Sequence, residues 1–162
     1  MISEVLILGL GNPLMGDDGV GAAVVDELRR RGLPEGVRAE VAPDVLHLPS
    51  VWHGEPEVWL VDAVQRGAEP GSVHLMEHSE LVTLQDSHRS AHQLSLPDGL
   101  RWLIHSYPEL AKLRFRLWGV EPGILATTPQ LSNEVAEAVP KVARAVVNPD
   151  HSPDIYCEAR RR

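Results

Sequence analysis

The chain has 162 residues, 43% of them hydrophobic, and a formal net charge of −8. This length and apolar content predict a single domain that buries its own core, and the negative charge disfavours nucleic acids and anionic membranes as partners. The single cysteine, Cys157, excludes a disulfide framework and a cysteine-rich metal site. No signal peptide or membrane-spanning apolar run is evident, so we expect a cytoplasmic protein.

The first predicted element is a short, buried strand over the apolar residues 5–10. It leads into a glycine-containing loop that ends with two adjacent acids, Asp17 and Asp18. A helix with an apolar stripe follows directly, over residues 19–31. In an α/β sheet such a loop lies at the carboxyl end of its strand, where these folds bind ligands.

The glycines of this loop raise the question of a bound nucleotide. Gly9 and Gly11 match the first two glycines of the dinucleotide fingerprint, but Leu14 stands where the third belongs. The two aspartates would also repel a pyrophosphate at the start of the helix. One aspartate can cap the helix, which leaves the other available for a cation. Nucleotide binding stays an alternative, with Glu40 as the acid that would bind the ribose.

Strands and helices alternate along the rest of the chain. We predict strands over 38–41, 58–64, 71–77 (at a sheet edge) and 114–120, helical turns within 45–52, and helices over 94–105 and 133–147. This alternation predicts an α/β three-layer sandwich, with a mostly parallel twisted sheet of about five strands and helices on both faces. We expect one α/β domain over residues 1–147 and a flexible tail over 148–162.

Two further residues are placed like Asp18. Asp62 ends an apolar strand, where an unpaired charge would be costly; capping a neighbouring loop is the alternative role. Residues 78–92 predict a long polar surface loop, in which we expect His78 and His88 to be solvated. His92 ends this loop, just before a helix. Asp18, Asp62 and His92 can therefore converge, and two carboxylates with one imidazole suit a divalent transition metal.

These residues resemble a known family, the hydrogenase maturation proteases, which are endopeptidases that trim nickel–iron hydrogenase large subunits. The segment Gly-Leu-Gly-Asn-Pro-Leu-Met-Gly-Asp-Asp-Gly-Val-Gly over residues 9–21 is similar to the family's N-terminal signature almost position for position. Four shorter segments are similar to its other landmarks: residues 61–63, 90–94, 119–122 and 131–135, with Asn133 where many members carry proline.

The resemblance implies that Asp18, Asp62 and His92 are the metal ligands and the catalytic residues of an aspartic-type peptidase. Asp17 and Asn12 would be their neighbours in the loop. The implied reaction removes a C-terminal extension from a [NiFe]-hydrogenase large-subunit precursor after nickel insertion, which activates the hydrogenase. The nickel would be recognised in the precursor, so no permanently bound cofactor is expected, and we expect a monomer.

One segment departs from the family pattern. Members usually carry Asp-Gly-Gly after the second strand, whereas residues 42–49 keep only an acid, Asp44, and lack the glycines. Several alternatives also stay open at this point. A nickel-sensing protein that does not cleave would use the same ligands. Hydrolysis could proceed by metal polarisation of the carbonyl, by a metal-activated water, or by a carboxylate acting as general base.

Overall fold

The computed structural model describes residues 3–84, 95–123, 125–151 and 153–157. Its strands are β1 (Val5–Leu10), β2 (Val37–Ala42), β3 (Glu57–Ala63), β4 (Val73–Glu77) and β5 (Arg114–Val120). They form one sheet in the order β2-β1-β3-β5-β4. All neighbouring pairs are parallel except β4 and β5, which are antiparallel and place β4 at an edge. The predicted sheet and its central parallel strands are therefore confirmed.

Helices cover both faces of the sheet, as the predicted three-layer architecture requires. The helices are α1 (Val20–Arg31), α2 (Leu48–Val51), α3 (His78–Thr83), α4 (Leu96–Ser106) and α5 (Asn133–Val147). α1 and α5 pack against each other over one core cluster. α2, α3 and α4 contribute to a second cluster on the opposite face. β1 is apolar throughout because both of its faces are buried. Ile7 packs into the first cluster, while Leu6 and Leu8 pack into the second.

The start of α1 lies unusually close to the sheet. A Cβ atom on Gly21 would lie only 2.4 Å from the Leu10 carbonyl oxygen and 2.6 Å from that of Val61. Only glycine permits this approach. The loop before α1 is consequently held over the carboxyl ends of β1 and β3.

The structure differs from the predicted loop over residues 78–92. Its first residues form α3, and His78 is only partly exposed. The Phe115 N–H donates a hydrogen bond to His78 Nδ1 (3.0 Å), and the two rings stack with centroids 5.8 Å apart. His78 is thus a packing residue at the end of the β4–β5 pair, and the prediction that it is solvated was wrong. His88 and His92 lie outside the described residues.

The described end of the expected tail is held against the sheet. Tyr156 forms a parallel bridge with Val73 of β4, and the Cys157 N–H donates to the Val73 carbonyl (2.8 Å). Trp118 Nε1 donates to the Tyr156 hydroxyl (3.0 Å). A flexible tail was expected over residues 148–162, whereas Tyr156 and Cys157 are bound to the sheet. None of the helices in the described ranges has the length and apolar character needed to cross a membrane.

Candidate functional site

The carboxyl ends of β1 and β3 meet at the point where the strand order reverses. From β1 the chain passes through α1 to β2 on one side, whereas β3 pairs with the other side of β1. Open α/β sheets bind their ligands at such a switch point. Asp18 lies in the loop that follows β1, and Asp62 lies near the end of β3. The structure therefore confirms that these two predicted site residues share one end of the sheet.

The loop between β1 and α1 orients the Asp18 carboxylate. The Asn12 N–H donates to Asp18 Oδ2 (2.8 Å), and Asn12 Oδ1 in turn accepts from the Leu14 N–H (2.9 Å). Gly11 has a φ of 114°, and a Cβ there would lie 2.0 Å from the Asp18 carbonyl oxygen. The Gly-Asn pair is therefore needed to fold the loop back onto Asp18.

The Asp62 carboxyl lies within electrostatic range of Asp18. Burial, together with the negative charge of Asp18, raises the pKa of Asp62 to about 7. The Ala63 N–H donates to Asp62 Oδ1 (2.8 Å), which opposes this rise without cancelling it. In the described part of the chain, no lysine, arginine or histidine forms an ion pair with either aspartate. Two carboxylates without a counter-cation favour a positively charged ligand.

The third predicted ligand, His92, lies outside the described residues. Among the residues that are described, no group of three or more histidine, cysteine and acidic side chains is arranged to hold a metal. The structure thus brings together two of the three predicted site residues. The role of His92 stays a prediction.

Asp17 has a different role from its neighbour. It is completely buried, and its Oδ2 accepts from the Gly123 N–H and the Ser132 hydroxyl, both at 2.8 Å. Its Oδ1 accepts from the Ser132 N–H (2.7 Å). Asp17 therefore fastens both ends of the loop 123–132 beside Asp18. The sequence suggested only a cap for α1; the serine that starts α5 was the available signal for this contact.

Glu121 is a second anchor that sequence reasoning missed. Its buried carboxylate accepts from the N–H groups of Arg66 and Gly67, with all three distances at 3.0 Å. His74 Nε2 lies 3.1 Å from Glu121 Oε2, which also accepts from the Arg66 N–H. Glu121 thereby holds the segment that follows Asp62 against the ends of β4 and β5. The segment 119–122 was recognised only as a landmark of the family.

Two other acids at this part of the sheet already have partners. Glu40 pairs with Arg38 (3.3 Å) and Arg29 (3.6 Å), so it does not offer a free carboxylate to a ribose. Asp44 accepts from the Leu46 N–H (2.9 Å) and caps a short 3-10 turn, and His47 lies 3.1 Å away. The segment that departs from the family pattern is thus a capped turn.

Comparisons with known proteins agree on one family. A family model described as hydrogenase maturation protease matches residues 44–149. Protein FrxA of Pyrococcus furiosus is 32% identical over 83% of this chain and 96% of its own length. A putative hydrogenase maturation protease of Methanocaldococcus jannaschii is 30% identical over 89% of this chain and 94% of its own. The solved [NiFe] hydrogenase maturation protease HybD from Thermococcus kodakarensis has a TM-score of 0.74 at 27% identity, covering 88% and 96% of the two chains.

Proposed function

The chain belongs to the hydrogenase maturation proteases and is a peptidase, and we propose that it removes a C-terminal extension from a [NiFe]-hydrogenase large-subunit precursor after nickel insertion. The observation that carries this proposal is the pair of aspartates, Asp18 and Asp62. They lie at the same switch point of the sheet and interact electrostatically, and neither has a cationic partner among the described side chains.

The nickel ion held by the precursor is the cation that this pair would receive. Like charges at close range disfavour ionisation until a cation arrives, so the pair distinguishes a nickel-loaded precursor from an empty one. Carboxylates with an imidazole form a suitable ligand set for a divalent transition metal, and we propose His92 as the imidazole. Because the metal arrives with the substrate, the enzyme needs no permanently bound cofactor.

Hydrolysis requires a water oxygen to bond to the scissile carbonyl carbon while the C–N bond breaks. One proton leaves the water and one proton must reach the departing amine. A carboxylate of the pair that is not coordinated to the nickel ion can accept the first proton and return it to the amine. We assign this transfer to Asp62, because its raised pKa in the metal-free protein means that it holds a proton more readily than an ordinary aspartate. Asp18 and His92 would then hold the nickel during this step, and the reaction is an aspartic-type hydrolysis in which nickel serves recognition. Polarisation of the carbonyl by nickel is the competing route.

The direct test is to incubate the protein with a purified nickel-loaded precursor and to measure the precursor's intact mass. Loss of a C-terminal peptide supports the proposal, and the nickel-free precursor should stay uncut. If the loaded precursor binds but keeps its full mass, the protein senses nickel without cleaving. We also propose that the enzyme acts in the cytoplasm as a monomer, which cell fractionation and light scattering would test.

A further inference from the structure

The exposed large apolar side chains are unevenly distributed over the described residues. Five such side chains are exposed, and Trp102 and Tyr107 contact each other edge to face with ring centroids 6.5 Å apart. The other three, Leu14, Leu46 and Leu125, are exposed by 65%, 41% and 49% respectively. Each of these leucines lies in a segment that follows a parallel strand, namely β1, β2 and β5. All three therefore lie at the end of the sheet that carries the two aspartates.

Backbone hydrogen bonds join these three segments side by side. The Gly11 N–H lies 3.2 Å from the carbonyl oxygens of Ala42 and Pro43, which connects the Leu14 loop to the Leu46 turn. On the other side, the Gly16 N–H donates to the Thr128 carbonyl (2.7 Å), which connects it to the loop of Leu125. The loop that carries Asp18 is thus the middle one of three.

The loop that carries Leu125 is attached to the Asp18 loop by hydrogen bonds within the protein. Asp17 binds Gly123 at one end of this loop and Ser132 at the other. Thr127 Oγ1 also lies 3.9 Å from Met15 Sδ. A surface held in this way loses little conformational entropy on binding. Maintaining solvent-exposed leucines on an ordered loop is consistent with an interaction site.

The charge of these segments indicates the chemistry of the partner. Residues 11–16 and 122–132 contain no charged side chain, although the chain as a whole carries a net charge of −8. The charged side chains nearby are Asp18, which follows the first of these stretches, and Asp44 and His47, which flank Leu46. The stretches that carry Leu14 and Leu125 therefore offer no charge of their own to an acidic or basic partner segment. An apolar segment would bury the leucines without desolvating a charge.

We propose that Leu14, Leu46 and Leu125 form a docking surface for an apolar segment of the protein substrate. We call these three residues the leucine surface. Leu14 lies in the same loop as Asp18, so a polypeptide that brings its scissile bond to the aspartates passes over this surface. The identity of the substrate rests on the proposed function, whereas the apolar character of its docking segment rests on the leucines.

The test compares four single variants, and a triple variant with all three leucines replaced by asparagine, with the wild-type enzyme on the nickel-loaded precursor. Leu14→Asn, Leu46→Asn and Leu125→Asn should each raise KM by about fivefold to tenfold, since each removes the burial of one half-exposed leucine. The value of kcat and the melting temperature should not change. Trp102→Asn is the matched control, because Trp102 is 54% exposed but lies on α4, and its KM should equal that of the wild type.

A triple leucine variant with the KM of the wild type would overturn the proposal, as would a change confined to kcat. If the wild type fails to cut the precursor, the proposed function is wrong. The leucine surface is then tested separately, by comparing how tightly the variants bind the nickel-free precursor. Weaker binding by the triple variant than by Trp102→Asn supports the surface. Equal binding, or no binding, overturns it. A wild-type dimer that dissociates in the triple variant would also overturn it, since a second copy would then be the occupant.

Discussion

Two carboxyl groups near opposite ends of β3, those of Glu55 and Asp62, have opposite properties. Glu55 precedes the strand and is completely buried. Burial alone raises its pKa, but hydrogen bonds from Arg38, Ser3 and the His53 N–H outweigh this effect and lower the pKa to about 2. The donors lie 2.8, 2.7 and 2.9 Å away. Asp62 is the next-to-last residue of the strand, and its pKa is raised to about 7.

The difference comes from the partners. Glu55 has a guanidinium and two further donors, so its charge is satisfied within the protein. Asp62 has one backbone N–H and a second carboxylate beside it. A satisfied carboxylate stabilises the fold at neutral pH, whereas a crowded one lowers the stability until a cation arrives. This contrast separates a residue that maintains the structure from one that is available to bind a ligand.

The largest expected effect is on catalysis at the Asp62 end. Asp18→Asn, Asp62→Asn and His92→Ala should each reduce cleavage of the nickel-loaded precursor by about a thousandfold or more, roughly 4 kcal/mol of activation free energy. The two asparagine variants should melt no lower than the wild type, because each relieves charge repulsion. Cleavage rates and melting temperatures on the same samples check this. Variants that melt lower but still cut would assign these aspartates to the scaffold.

The second effect is the pH dependence of stability that Asp62 causes. In the unfolded chain its carboxyl ionises near pH 3.8, whereas in the folded protein it keeps its proton until about pH 7. The folded state binds more protons than the unfolded state across this interval. The free energy of unfolding of the wild type should therefore fall by up to about 3 kcal/mol as the pH rises from 4 to 7. Asp62→Asn should lack this loss. Urea unfolding of both proteins across the interval measures it, and parallel curves would contradict the raised pKa.

The third effect tests the Glu55 end. Glu55→Gln keeps the shape but removes the buried carboxylate from the partly buried Arg38 and leaves it only the longer pair with Glu40, which should cost about 3 kcal/mol at pH 7. In the wild type the same contribution should disappear as the pH falls from 4.5 to 2, because the folded pKa is the lower one. Glu40→Gln is the control, since its pair with Arg38 is longer (3.3 Å) and more exposed than that of Glu55 and should contribute less than about 1 kcal/mol. Chemical denaturation measures the free energy of unfolding of both variants. Equal losses in the two would contradict a special role of Glu55 in stability.

The smallest expected effect is that of added nucleotides on thermal stability, for which we expect no change. ATP or NAD at millimolar concentration should leave the melting temperature unchanged, because the carboxylates at the switch point repel phosphates. A nucleotide at 100 times its dissociation constant would stabilise the fold by about 2.7 kcal/mol, which a thermal scan detects easily. A clear shift would indicate that this end of the sheet accepts anions after all.

The parts of the molecule that follow from local pattern could be predicted. The apolar runs identified the central strands, and the position of Asp18 and Asp62 at strand ends followed from the topology of parallel sheets. The bounds of β5 and α5 agree with the prediction to the residue. Each of these features depends on residues that are close together in the sequence.

The anchors could not be predicted because they depend on distant residues. Asp17 binds Gly123 across 106 positions, and Glu121 binds Arg66 across 55. No periodicity reveals which carboxylate will meet which backbone N–H at such separations. The same reason explains His78, which belongs to a polar stretch but packs on Phe115, 37 positions away.

The bridge between Tyr156 and Val73 has a consequence for self-association. β4 is an edge strand, and an open edge offers unpaired backbone groups that can template strand addition from another molecule. The C-terminal segment pairs with part of this edge through the Cys157 N–H and the Val73 carbonyl, while the Tyr156 hydroxyl binds the Trp118 indole. The described residues Tyr156 and Cys157 therefore cover part of the β4 edge, which should reduce the tendency of the sheet to aggregate through β4.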